Sequence, residues 1–220
     1  MMKLLLASFG LNNDTIAEAL FELVGKTPNK TKVSVVPTAA NIYNGDKEWF
    51  INDLLNIKKY NFLEIDIVDI SALPKESWKP RLEKADVLFF EGGDPFYLMK
   101  WILKTGLDKM LPELLKTRVY VGSSSGAIVL GQKIPEKCKD LYESNPDGMG
   151  NIDGLGIVNF TFLSHYKEDG YPLTLDDEVG REIADELNTD LYAIDDNTAI
   201  QIDGEKIKVV SEGQWAKFNK

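Results

Sequence analysis

The sequence predicts an α/β fold: a three-layer sandwich with a mostly parallel central sheet and a C-terminal β-hairpin. Two observations carry this. Short runs rich in Leu, Ile, Val and Phe, the pattern of strands buried on both faces, alternate with amphipathic segments across short connections. Near the end, Asp203-Gly204 joins residues 199–202 to 206–210, a strong hairpin signal.

Residues 3–9 read as the first strand, and Asp14 caps a helix to Val24 with Ile16, Ala19, Leu20 and Leu23 on one face. Residues 32–36 form a second strand ending in the small-residue loop Pro37-Thr38-Ala39-Ala40-Asn41. A helix over 47–57 presents Trp49, Phe50, Leu54 and Leu55 as its buried stripe, and 62–68 is the third strand. A Pro-bearing connection over 73–81 leads to a fourth strand at 85–90, then Glu91-Gly92-Gly93-Asp94-Pro95-Phe96 and a helix from Pro95 to Lys104. A helix over 107–115 precedes strand 118–121. Residues 131–153, with Pro135, Asn145-Pro146-Asp147-Gly148 and Gly150, read as an irregular excursion and a candidate lid. A strand at 160–164, an acidic-faced helix at 176–187 and a strand at 191–195 follow.

At 220 residues the chain is read as a single domain spanning 1–220. The net charge of −10 argues against a nucleic-acid partner. No apolar run approaches the ~20 residues needed to cross a bilayer, so no membrane partner is expected. The apolar start runs straight into Gly10-Leu11-Asn12-Asn13-Asp14, which favours a core strand over a signal peptide. The single cysteine, Cys138, is read as non-catalytic and fits a reducing, cytoplasmic compartment. One histidine and one cysteine cannot build a zinc site of the usual N/S type, and neither a metal nor a cofactor is expected.

Chemistry concentrates in Val119-Tyr120-Val121-Gly122-Ser123-Ser124-Ser125-Gly126-Ala127. An apolar strand enters a turn that fits G-x-S-x-G and leaves as a helix. A nucleophile in that tight, strained turn needs small neighbours so that the backbone can pass and a substrate can approach. Ser124 is the central serine, and the amide of Ser125 would face a developing oxyanion. Gly92-Gly93-Asp94 offers a second amide, while Asp94 and Pro95 also suit a helix start.

His165, the only histidine, follows the strand at 160–164. If Ser124 is histidine-activated, His165 is the base. The orienting acid stays open: Asp195 and Asp196 sit at the end of the strand that runs through Leu191-Tyr192-Ala193-Ile194 but also suit a turn, and Asp140 and Asp153 are rivals.

These segments together resemble the peptidase E (aspartyl dipeptidase) and cyanophycinase family of serine peptidases, over most of the chain. The resemblance is most specific at 85–100, at 119–130 and at 193–200. It implies a class I glutamine-amidotransferase-like fold with serine in place of the amidotransferase cysteine. It implies Ser124 as nucleophile, His165 as base, and the Gly93 and Ser125 amides as the oxyanion hole. An ungapped alignment puts the family's triad acid on Asp196, where peptidase E has Glu; an acid argued for elsewhere in the family falls near Asp140. Peptidase E reads an aspartyl side chain with an arginine between histidine and acid. No arginine stands at the matching place, so Arg181, the one arginine in that interval, and Lys167 are the substrate-binding candidates.

The expectation is a cytoplasmic serine peptidase acting on a small peptide substrate, dipeptidase-like and with Asp-X as one candidate specificity, as a monomer or homodimer. The alternatives are an esterase or amidase with the same machinery, or a catalytically silent binding protein of the same fold.

Overall fold

A computed structural model describes residues 1–142 and 150–220. The first half of the chain runs through β1 (Lys3–Ala7), α1 (Asp14–Val24), β2 (Lys32–Val36), α2 (Glu48–Lys58), β3 (Glu64–Ile67), α3 (Lys75–Lys84), β4 (Val87–Phe90) and α4 (Pro95–Thr105). Next come α5 (Leu111–Leu114), β5 (Val119–Ser123), α6 (Ser125–Ile128), β6 (Lys133–Ile134), α7 (Cys138–Tyr142) and β7 (Ile152–Asp153). The chain finishes with β8 (Thr161–Leu163), α8 (Asp177–Leu187), β9 (Leu191–Ile194), β10 (Thr198–Asp203), β11 (Lys206–Ser211) and β12 (Trp215–Phe218).

Seven strands form the central sheet in the order β11-β10-β1-β5-β4-β2-β3. The five from β1 to β3 are mutually parallel, and the C-terminal hairpin adds antiparallel through β10 on β1. Alternation within β1 shows the three layers. Leu5 and Ala7 join a core with Ile16, Leu20 and Leu23 of α1 and Ile57 of α2. Leu4 and Leu6 join a larger core with Trp78 and Leu82 of α3, Phe96 and Ile102 of α4, and Phe162 of β8. Adjacent residues of a strand face opposite ways, so a strand apolar at every position must be covered on both sides.

A second, three-stranded sheet in the order β12-β9-β8 packs on that larger core. Its strand β12 has no counterpart in the sequence reading, because four residues alternating Trp, Ala, Lys, Phe are too short a pattern to stand out. The proline-bearing connection is largely helix: Pro74 precedes α3 and Pro80 sits within it, where it forgoes one backbone bond. Asn13, not Asp14, caps α1, its side chain accepting from Ile16 N at 2.9 Å. On α2 the buried residues are Asp53 and Ile57, whereas Leu55 is exposed. The excursion contains the short β6–β7 ladder and α7; its Asn145-Pro146-Asp147-Gly148 segment lies outside the described residues. Among the described residues, no helix is long and apolar enough to cross a membrane.

Candidate active site

β5 ends at Ser123 and α6 starts at Ser125, so Ser124 makes the turn by itself. Its φ of 46° and ψ of −107° put a non-glycine residue in sparsely allowed backbone space, at a cost of about 1–3 kcal/mol. Packing over-determines that conformation. Ser124 N donates to Ala7 O of β1 at 2.9 Å, and the buried Tyr120 hydroxyl donates to Gly126 O at 2.7 Å. A Cβ at Gly126 would stand 2.2 Å from the Phe90 carbonyl oxygen, which is why the turn needs glycine there.

Ser164 and His165 follow β8, and Asp195 and Asp196 follow its parallel neighbour β9, so neighbouring strand ends deliver imidazole and carboxylate together. His165 Nε2 lies 3.1 Å from Ser124 Oγ, and His165 Nδ1 lies 2.6 Å from Asp196 Oδ1. Ser8, just past β1, ties the group together: it accepts the His165 amide at 2.8 Å and donates to Asp196 Oδ1 at 2.7 Å. Burial pushes the Asp196 carboxyl up, but the hydrogen bond and charge of His165 and the Ser8 hydroxyl outweigh it and hold the carboxyl below its usual value. An ionised Asp196 favours the proton on Nδ1, leaving the Nε2 lone pair toward Ser124. Ser124 Oγ also lies 2.9 Å from Ser164 Oγ. Tyr171 stacks on the imidazole with ring centres 4.5 Å apart, and Tyr142 meets it edge-on at 5.8 Å.

The diglycine turn after β4 abuts this serine: a Cβ at Gly92 would touch Ser124 Cβ at 3.4 Å. Gly93 has φ 136°, and a Cβ there would overlap the Ala39 carbonyl at 2.3 Å. Ser125 Oγ donates to Gly93 O at 2.5 Å, which fixes the orientation of that peptide. Asp94 does cap α4, accepting from Tyr97 N at 2.7 Å. Among the described residues, neither the Gly93 nor the Ser125 amide has an acceptor, so both donors remain available beside Ser124.

A cavity of about 750 Å³ opens over Ser124 and His165. Phe9, Tyr43, Trp49, Tyr142, Tyr171 and Pro172 give it apolar walls, and Gly92, Gly93 and Asp53 complete one side. No lysine or arginine is among its described lining residues, and Asp53 is their one carboxylate. Asp53 Oδ2 accepts from Ser123 Oγ at 3.0 Å, and the Asp53 carboxyl shares a hydrogen bond with that of the neighbouring, fully buried Glu91. Burial pushes Asp53 up, partly offset by bonds from Glu91 and Ser123; burial and the charge of Asp53 push Glu91 well above the usual carboxylate range.

The other candidates sit elsewhere. Asp195 turns away from His165 and accepts from Thr198 Oγ1 at 2.6 Å and from the Gln214 amide. Asp140 is exposed on α7, and Asp153 pairs with Lys133 at 2.5 Å. Arg181 lies over the Phe218 ring at 5.6 Å and Lys167 pairs with Asp177 at 2.9 Å; neither lines the cavity. Cys138 is buried, and burial pushes its thiol up, away from reactive thiolate. Ser8, Asp53 and Tyr171 were not anticipated. A signal existed for one of them: Trp49, Asp53 and Ile57 recur every fourth residue, placing an acid inside an apolar stripe.

With this geometry in hand, comparison with known proteins decides the family. The sequence pattern of Peptidase family S51 matches residues 4–210. The chain belongs to that family. This S51 protein is 24% identical over 209 residues to an uncharacterized peptidase of Pasteurella multocida (strain Pm70), covering 93% of the chain and 95% of the relative. It is 25% identical over 210 residues to the peptidase E of the same organism, covering 93% of the chain and 83% of the relative. Its fold is shared with a crystal structure of a candidate peptidase E protein from Listeria monocytogenes EGD-e, with TM-score 0.78 and 22% identity, covering 97% of this chain and all of that one. It is a serine-type peptidase.

Proposed function

We propose that this S51 peptidase hydrolyses short peptides through Ser124, His165 and Asp196. The observation that carries the reading is the unbroken series Ser124 Oγ, His165 Nε2, His165 Nδ1 and Asp196 Oδ1, with links of 3.1 Å and 2.6 Å. Ser124 Oγ attacks the scissile carbonyl carbon as its proton passes to His165 Nε2. The resulting oxyanion sits against the Gly93 and Ser125 amides, while Asp196 stabilises the imidazolium. His165 gives its proton to the leaving amine, the C–N bond breaks, and an acyl-enzyme remains. Water then attacks that ester, with Nε2 taking a proton from it and returning one to Ser124, and the free acid departs.

A cavity of about 750 Å³ falls within the range of small-molecule sites, which supports a dipeptidase-like preference over long chains. The absence of a lysine or arginine among its described lining residues gives no support to an Asp-X preference. The lone cysteine supports a cytoplasmic setting.

A fluorophosphonate probe tests the nucleophile: wild type is labelled and S124A is not, with equal labelling of both overturning the assignment. Mass-spectrometric analysis of a dipeptide and tripeptide panel, run beside simple esters, separates a peptidase from an esterase. Cleavage of esters alone would overturn the peptide reading.

A further inference from the structure

The cavity's charge arrangement bears on which peptides the enzyme takes, and this inference rests on the serine-peptidase reading above. We infer that the cavity selects a peptide whose first residue carries a free α-ammonium and an uncharged side chain: the ammonium is received by Asp53 with Glu91 behind it, and an acidic first residue is disfavoured.

Three independent observations converge. First, the chemistry of the described walls is one-sided, with aromatic rings, a single carboxylate and, beside the His165 imidazole, no lysine or arginine. An aspartyl or glutamyl side chain would meet apolar rings and a like charge, whereas an aliphatic or aromatic one would bury its surface there.

Second, Asp53 is a buried acid paired with another acid rather than with a cation. It occupies the buried face of α2, where its neighbour one turn on is Ile57, and it is 1% exposed. Its hydrogen bonds come from Ser123 and from the carboxyl of the buried Glu91, so two acids meet beside a cavity with no lysine or arginine among its described lining residues. Two acids buried side by side readily carry only one negative charge between them, and a cation supplied by a ligand stabilises that charge. The chain also keeps space for the carboxyl: a Cβ at Gly10 would stand 1.9 Å from Asp53 Oδ1.

Third, position fits chemistry. Asp53 is bonded to Ser123, the residue immediately before the nucleophile, and it lines the same cavity. In an unblocked peptide the α-nitrogen is two bonds from the first carbonyl carbon. A carboxylate this near the nucleophile therefore suits an α-ammonium better than a group farther along the substrate. Trp49, one helical turn before Asp53, adds an aromatic face that a cation favours.

The test compares kcat/KM for leucyl-, phenylalanyl- and aspartyl-p-nitroanilide, each with a free and an N-acetylated amine, plus N-acetyl-lysyl-p-nitroanilide. Wild type is expected to favour the free leucyl and phenylalanyl amides over their acetylated forms by about a hundredfold or more, and over the aspartyl amide. D53N keeps an acceptor for Ser123 but loses the charge, and should lower the free-to-acetyl ratio by at least about tenfold. S123A removes the hydrogen bond but not the carboxylate, and should leave that ratio within about threefold of wild type.

Equal cleavage of free and acetylated substrates by wild type would overturn the inference, and so would preference for the aspartyl amide. A ratio unchanged in D53N, with both rates lowered together, would reduce Asp53 to a support for the turn. If N-acetyl-lysyl were the best acetylated substrate, the bound cation would be a side-chain ammonium, and the α-ammonium assignment would fall. The wild-type comparisons decide the matter even if D53N does not fold. Loss of the parent reading shows separately, as hydrolysis that survives S124A.

Discussion

Replacing Asp196 with asparagine tests how the proposed triad is wired, because the geometry around it leads to an unusually mild expected outcome. In a chymotrypsin-type triad the same change costs about 10⁴ in kcat, because the amide turns its NH₂ to the imidazole and selects the wrong tautomer. Here one oxygen, Asp196 Oδ1, receives both the Ser8 hydroxyl at 2.7 Å and His165 Nδ1 at 2.6 Å. In D196N the Ser8 donor keeps the amide oxygen at that place and sends the NH₂ toward the more open side. The tautomer survives and only the charge is lost. An ion pair at about 4 Å and an effective dielectric of about 20 is worth about 4 kcal/mol. The Asp196 side chain is 26% exposed, which brings this down to about 2–3 kcal/mol after allowance for solvent. D196N should therefore lose roughly 30–150-fold in kcat. Freed of the Ser8 donor, S8A/D196N should fall toward the full 10⁴. Steady-state hydrolysis of a p-nitroanilide and the rate of fluorophosphonate labelling both read this out. A 10⁴ loss in D196N alone, with nothing added by S8A, would refute the reasoning.

Tyr120 to Phe removes the donor to Gly126 O and leaves a buried carbonyl unpaired, so Y120F should cost about 1–3 kcal/mol in urea unfolding and lower activity more than an equal loss of stability elsewhere. G126A drives a Cβ into the Phe90 carbonyl and should lower stability by at least about 1–3 kcal/mol, a fall of several degrees in Tm. G25A, at φ 68° with open space around it, should cost only about 1 kcal/mol of backbone strain. Acid should unmask Asp69. Burial pushes it up, but the Ser71, Thr38 and Asn41 bonds prevail and its folded value lies below the ordinary one. Its contribution is therefore present above about pH 4 and is lost as pH falls through the folded value, so the stability gap between wild type and D69N should narrow as pH is lowered below about 4. Glu91 runs the other way. Its folded value is raised, so the native state holds the extra proton and stability declines as pH rises above about 4.3; E91Q should gain on wild type between pH 4.5 and pH 8 in denaturant titrations.

Backbone-imposed features were the most legible in the sequence. Ser124 and Gly126 stand out because a sharp strand-to-helix turn tolerates few residues, and the apolar strands read correctly because both their faces are covered. Asp196 could be singled out only by resemblance, since Asp195 beside it has the same chemistry; what separates them is direction, with Asp195 turned to Thr198 and Gln214. Ser8 carried no local signal, because its role arises where β1 meets the ends of β8 and β9, far away in sequence. The α2 stripe was misread by admitting only apolar residues, which promoted the exposed Leu55 and passed over Asp53. Helix α3 was obscured by two prolines, one before it and one inside it.

The His165 imidazole and the Asp196 carboxylate hang from paired strands of the small sheet, whereas Ser124 follows a strand of the large one. The 2.6 Å link is thus held by a ladder, but the 3.1 Å link spans a seam between two separately built pieces. A slip of under an ångström along that seam would silence turnover while leaving the cleft able to hold a peptide. Whatever loosens the contact between the two sheets acts as a brake on the chemistry without touching any reacting atom.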